Sequence, residues 1–261
     1  MNTARFGKWF QTRMAIADHI VADFPEVGVE DAEILLCCTA SAFAAQMWPG
    51  ERIDRARFTQ YLVEFSDPGL DLSLISVPVL QEKLRDGGDL TKSIALEDHF
   101  YPGAQLRLLD PEEAHRTEIQ IQSLISGLST RDIRLCSLVS IIYSDFRSGL
   151  VHEYSLSPYL SSIPGKDLPD RPSYMNWLVQ PEEGAVEDLM NEEGITREEV
   201  EATYVRQVRR LHLPHGFIRT AVSSASTNAL AFWDVSTSWR RAVPNQWWLD
   251  GGPFSPFQHG A

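Results

Sequence analysis

Arg147 and His152 stand five residues apart, with Gly149 between them, at the end of an apolar helical pattern. These two residue types suit phosphoryl chemistry. Histidine moves protons near neutral pH. Arginine's planar fork matches phosphate oxygens and offsets the charge that builds on a phosphorane. Together they could cut RNA without a metal, by attack of a ribose 2′-hydroxyl on the adjacent phosphate. Spacing alone does not single them out, because Arg13 with His19, Arg206 with His212, and Arg209 or Arg210 with His215 show similar separations. On a regular helix five residues turn two side chains about 140° apart. Both then serve one site only where the helix bends or ends, which Gly149 permits. The plainer reading is that Arg147 and His152 cap the helix end and bond to Asp145 or Glu153. Tyr143 and Tyr154 flank the pair and can stack on a base or pack as half-buried rings.

Other chemical patterns are weaker. His212-Leu213-Pro214-His215 offers two imidazoles, but Pro214 prevents a regular helical pair and no third metal ligand lies nearby in the sequence. Glu97-Asp98-His99 is similar. There is no phosphate-binding loop, nucleophile elbow or HExxH pattern, so neither a metal nor a cofactor is expected. The three cysteines, Cys37, Cys38 and Cys136, lie in apolar surroundings without zinc spacing. They read as reduced core thiols.

The elements that must position these residues read as mostly helical. Apolar residues recur at helical spacing over 3–24, and 29–48 is apolar almost all round, as a central helix would be. A third helix fits 53–65 and a short one 79–85, while 90–109 reads as irregular. Asp110, Pro111 and Glu113 signal a helix start, and that helix should run to about residue 128. Another, starting at Ser129 or Thr130, delivers Arg147 with Ile133, Leu135, Cys136, Leu138, Val139, Ile142 and Phe146 on its apolar side. Strands fit 173–179 and 209–213. Thr196 and Glu199 suggest a helix over 196–208, and a last helix fits 217–243. The tail from Pro244 carries Trp247 and Trp248, which should dock rather than remain exposed. The expected architecture is a mainly α, up-and-down helical bundle in a single domain of 1–261. Residues 155–215 form an irregular, partly β, acidic insertion before the last helix, and 244–261 form a docking tail.

The chain has 261 residues, 43% apolar and 23% charged, with a formal net charge of −13. That composition suits a globular protein. Nine acids and one base fall within 182–201, which supplies −8 of the total. An acidic surface disfavours non-specific nucleic-acid binding. A local basic site remains open, and the acidic run itself reads as a solvated face. The longest uncharged run, 34–50, is too short to span a membrane and too polar at Thr39, Ser41 and Gln46. Asp18, His19 and Asp23 interrupt any leader-like apolar region. The expected location is the cytoplasm, with no membrane partner.

The string Phe146-Arg147-Ser148-Gly149-Leu150-Val151-His152-Glu153-Tyr154 resembles the Arg-x4–6-His signature of the HEPN superfamily. The run from Ile34 through Cys37-Cys38 and Trp48-Pro49-Gly50-Glu51 to Arg57-Phe58 and Tyr61-Leu62 is similar to the early helices of bacterial HEPN-like proteins. The resemblance covers roughly 28–155. It implies a helical up-and-down bundle, commonly a homodimer, whose catalytic members are metal-independent endoribonucleases acting as toxins or in defence. By this resemblance Arg147 would polarise the scissile phosphate of an RNA and His152 would transfer protons. Ser148 would occupy the polar position that Asn, Asp or His more often fills. Tyr143, Ser148 and Tyr154 would then line the substrate, and a cognate antitoxin or another protein would be a partner. The resemblance equally admits a non-catalytic dimeric module that binds a protein or nucleotide.

Overall fold

The chain is described by a computed structural model over residues 3–25, 28–100, 109, 111–153, 156–161, 171–179, 196, 206–235 and 239–253. It begins with α1 (Thr3–Asp23), α2 (Val29–Met47), α3 (Asp54–Phe65), β1 (Ile75–Ser76), α4 (Val77–Asp86) and α5 (Leu90–Phe100). Next come α6 (Pro111–Ala114), β2 (His115–Arg116), α7 (Glu118–Leu124), α8 (Thr130–Arg134) and α9 (Leu138–Ile141). A π-helical segment, Ile142–Arg147, leads into α10 (Ser148–Glu153), followed by β3 (Ser173–Val179), β4 (Arg206–His212) and α11 (His215–Val235). The architecture is mainly helical. Among the described residues no helix is long and apolar enough to cross a membrane.

α2 is the central helix. Most of it is enclosed: Leu36, Cys37, Ala40, Phe43, Ala44 and Met47 are all fully buried, and Asp31, Cys38 and Gln46 mark a narrow exposed side. It packs against α1, α3, α11 and the π-helical segment. Phe43 gathers the rings of Phe6, Phe10, Tyr61 and Trp239 around it. α3 is tied to α11 by polar contacts within this apolar setting: Tyr61 Oη donates to Ser226 Oγ (3.1 Å) and Asn228 Nδ2 to the Phe65 carbonyl (2.8 Å). Cys37 and Cys136 lie in the core as expected, but Cys38 is exposed. One residue further along a helix turns the side chain by about 100°, which takes Cys38 off the buried face.

Three expected helices have different boundaries, and pairing with distant segments accounts for the first two. The helix expected from 111 to 128 stops at Ala114. There His115 and Arg116 pair antiparallel with Ser76 and Ile75, and Thr117 starts α7 with a capping box to Gln120. The helix expected from Ser129 is broken at 135–137. The amide of Ser76 bonds to the Cys136 carbonyl, and those of Leu138 and Val139 bond to the carbonyls of Leu74 and Leu72. Those cross-links draw the backbone off the helical path, and Ser137 caps the next start. The last helix runs from His215 to Val235. Trp239 beyond it is stacked on Trp233 (4.3 Å), and Arg241 donates its amide to Met47.

Two further differences concern segments read as irregular or helical. Leu90–Phe100 is a helix, because the Asp89 carboxylate accepts the Lys92 amide (3.2 Å) and the Asp89 carbonyl accepts that of Ser93. The pairing of β3 with β4, from Ser173 opposite His212 to Val179 opposite Arg206, places Arg206, Gln207 and Val208 in a strand. The sequence pattern predicts the end of a helix there. The acidic run, except Thr196, lies outside the described residues, as do Asp110, Tyr154 and the tail from 254.

Candidate functional site

The helix that delivers Arg147 widens before it gets there. Ile142 and Phe146 are buried and anchor the π-helical segment on the core. Its wide turn is closed by the Ser148 amide bonding to the carbonyl of Tyr143, five residues back. The Ser148 hydroxyl donates to that same carbonyl (3.0 Å). Such wide turns recur at functional sites because they re-aim the side chains they carry. Gly149 does not end the helix: α10 continues through it to Glu153. The irregularity thus precedes Arg147 rather than following it. His152 has a helical backbone, but its side chain, like that of Glu153, lies outside the described residues.

The side chains of the wide turn point to three different neighbours. Asp145 is buried and pairs with Lys83 of α4 (3.1 Å), so it is not the partner of Arg147. Tyr143 packs its ring against Phe58 of α3 (centroids 5.2 Å). Arg147 is half-buried. Its Nε donates to Ser41 Oγ of α2 (3.1 Å), and its guanidinium carbon lies 5.0 Å from the centre of the Tyr143 ring. A second guanidinium, that of exposed Arg55, lies 5.7 Å from the same ring centre. Among the described residues no carboxylate lies within ion-pair distance of Arg55 or Arg147. Arg57, Arg131, Arg134, Arg219 and Arg241 all have one. The positive charge of Arg147 also reaches Cys37, whose thiol burial pushes far up while the guanidinium pulls the other way.

No family model matches the chain, and no curated protein or solved structure is significantly similar to it.

The candidate residues therefore divide. Tyr143, Arg147 and Ser148 share one turn, with Ser148 bonded back into the helix. Arg55 and Ser41 join them from α3 and α2. Sequence reasoning passed over both: Arg55 sits among Arg52 and Arg57 without a motif, and Ser41 is one small residue on an apolar helix. The two imidazoles of the His212–His215 pattern go to different neighbours. His212 Nδ1 faces the Ser161 carbonyl (3.2 Å) and His215 Nδ1 lies 3.9 Å from Glu33. Burial, with the nearby charge of Glu30, raises the Glu33 carboxyl well above the usual range. Glu97 faces Gln81 and Arg85. Among the described residues no group of three or more His, Cys, Asp or Glu side chains is placed to hold a metal ion.

Proposed function

We propose that this protein is a metal-independent endoribonuclease of the HEPN type, acting as a toxin or defence effector. The observation that carries the proposal is Arg147. A guanidinium partly withdrawn from water costs free energy unless an anion or a full set of acceptors meets it. Among the described residues Arg147 meets one hydroxyl and one aromatic face and no carboxylate. Ser41 and Tyr143 fix the plane of the fork, and among the described residues no acceptor takes its terminal nitrogens, which suit an incoming phosphate.

In this reading the 2′-hydroxyl loses its proton to His152 and its oxygen bonds to phosphorus. The bond to the 5′-oxygen breaks, and that oxygen gains a proton. The products are a 2′,3′-cyclic phosphate and a 5′-hydroxyl. Arg147 offsets the charge on the non-bridging oxygens. One imidazole cannot take one proton and give another at the same instant, so two facing copies of the motif in a homodimer suit the reaction. The test is cleavage of RNA by the purified protein with and without EDTA, beside His152→Ala and Arg147→Ala. Cleavage should survive EDTA, end in cyclic phosphates, and fall about 10²-fold or more in His152→Ala. Undiminished cleavage by His152→Ala rejects the assignment.

A second reading, a non-catalytic dimeric module that binds a protein or nucleotide, is favoured by Ser148. Its hydroxyl proton is spent on the Tyr143 carbonyl rather than offered to a ligand. RNA or nucleotide binding without cleavage would select that reading.

A further inference from the structure

We infer that Arg55 and Arg147 form a two-guanidinium clamp for successive phosphates of a single-stranded polynucleotide, with Tyr143 as the residue that positions both. The choice of a polynucleotide rests on the endoribonuclease reading; the clamp itself rests on geometry. Each guanidinium lies within cation–π range of one ring. The two charges are therefore no farther apart than those two distances laid end to end, and neither has a carboxylate partner among the described residues. Two like charges at one aromatic ring, in a chain of net charge −13, make a local positive spot that suits an anion.

Arg55 also stands where its own helix opposes it. It is in the first turn of α3, at the positive end of the peptide dipoles, where a cation is disfavoured by roughly 0.3–1 kcal/mol. No capping side chain accepts from the first-turn amides, since Ile53 holds the cap position. The one carboxylate there, Asp54, is taken by Arg57. Arg57 has a structural reason to be present: it also donates to the carbonyls of Trp48 and Gly50. Among the described residues the Arg55 side chain has only the Tyr143 ring. Charge, helix end and uncapped amides add in the same direction, and all favour a phosphate outside α3. Tyr143 then does not serve as an open platform for a base. Its ring already meets Phe58 and both guanidiniums, and it acts through them.

The experiment measures binding of a fluorescein-labelled single-stranded RNA oligonucleotide by anisotropy across a salt series, with His152→Ala as the parent so that the probe stays intact. Each phosphate contact contributes about 0.7 to the slope of log K against log salt for a single strand. Arg55→Ala should lower the slope by about that amount, Arg55→Lys should keep it, Tyr143→Phe should match the parent, and Tyr143→Leu should weaken binding. Arg55 is exposed, so its truncation leaves the fold intact, which circular dichroism checks. An Arg55→Ala slope equal to that of the parent overturns the clamp, even if the wild type cleaves RNA. Binding that depends on Arg55, in a protein whose wild type does not cleave, keeps the clamp and removes only the nuclease reading. No RNA binding at all removes both.

Discussion

At the scale of single residues, the wide turn carries two serines with opposite fates. Ser148 donates its hydroxyl to the Tyr143 carbonyl, which satisfies a helix acceptor. Ser144 Oγ is buried with no hydrogen-bond partner among the described residues. A made hydrogen bond contributes about 1 kcal/mol, whereas a buried hydroxyl left unmade costs about 1–3 kcal/mol. Ser148→Ala should therefore lower stability by about 1 kcal/mol, and Ser144→Ala should be neutral or stabilising, both read from urea unfolding. Ser148→Ala should change RNA cleavage by less than about threefold, because one ordinary hydrogen bond taken from the substrate would account for a larger loss. A loss of tenfold or more would place Ser148 on the substrate, as the HEPN resemblance implies. Arg147 was legible because its type and position suit phosphate. That no carboxylate among the described residues meets it was not, since Asp145 two residues earlier is an obvious candidate and only the fold turns Asp145 toward Lys83.

At the scale of elements, a buried chain of hydrogen bonds joins the small strands to the helices. His115 Nε2 meets Tyr174 Oη (2.8 Å), which meets Ser76 Oγ (2.7 Å), and Ser76 caps α4 by accepting the Val79 amide. Burial, reinforced by Arg116, pushes His115 from 6.5 down to about 4. A base whose pKa falls on folding contributes stability that is full above its unfolded value and is lost as pH falls from 6.5 toward 4. The loss amounts to about 3 kcal/mol by linkage. Glu33, raised well above 4.5, runs the other way: its contribution is full below 4.5 and is lost as pH rises. Wild type should therefore lose more stability between pH 6.5 and 4.5 than His115→Gln, in paired urea titrations that cancel the Glu33 contribution. Equal slopes would mean that His115 titrates normally. This part of the fold was poorly legible. The long helices followed from their apolar periodicity, whereas 72–76, 115–116 and 136–139 meet through pairing between distant segments, which no local pattern reveals. Thr117 and Gln120, by contrast, spell a capping box that the sequence shows plainly, overshadowed by the Asp110-Pro111 signal just before it.

At the scale of the whole molecule, α3 separates two jobs. At about 100° per residue, Arg55 and Phe58 lie on one side of the helix and Gln60 and Glu64 on nearly the opposite side. The contacts agree: Phe58 meets Tyr143, while Gln60 accepts the Trp248 amide (2.7 Å) and Glu64 pairs with Arg241. The C-terminal segment is held on that far side by several bonds at once. Trp247 packs edge-on to Trp48 (5.8 Å), and Arg134 lies over the Trp248 ring (4.9 Å) while donating to the carbonyls of Trp248 and Gly252. A side chain at Gly252 would run into the Gln246 carbonyl, so glycine closes the strap. Trp248 is 3% exposed, and its replacement by alanine should cost about 3–5 kcal/mol, with both a lost ring and a cavity contributing. Because the strap and the arginine clamp use opposite sides of α3, that loss should not reach the clamp. Trp248→Ala should unfold at markedly lower urea, yet below its transition it should bind the labelled RNA with the same affinity and salt slope as its parent. A folded Trp248→Ala protein with a reduced slope would show instead that the strap holds α3, and with it Arg55, in the binding position.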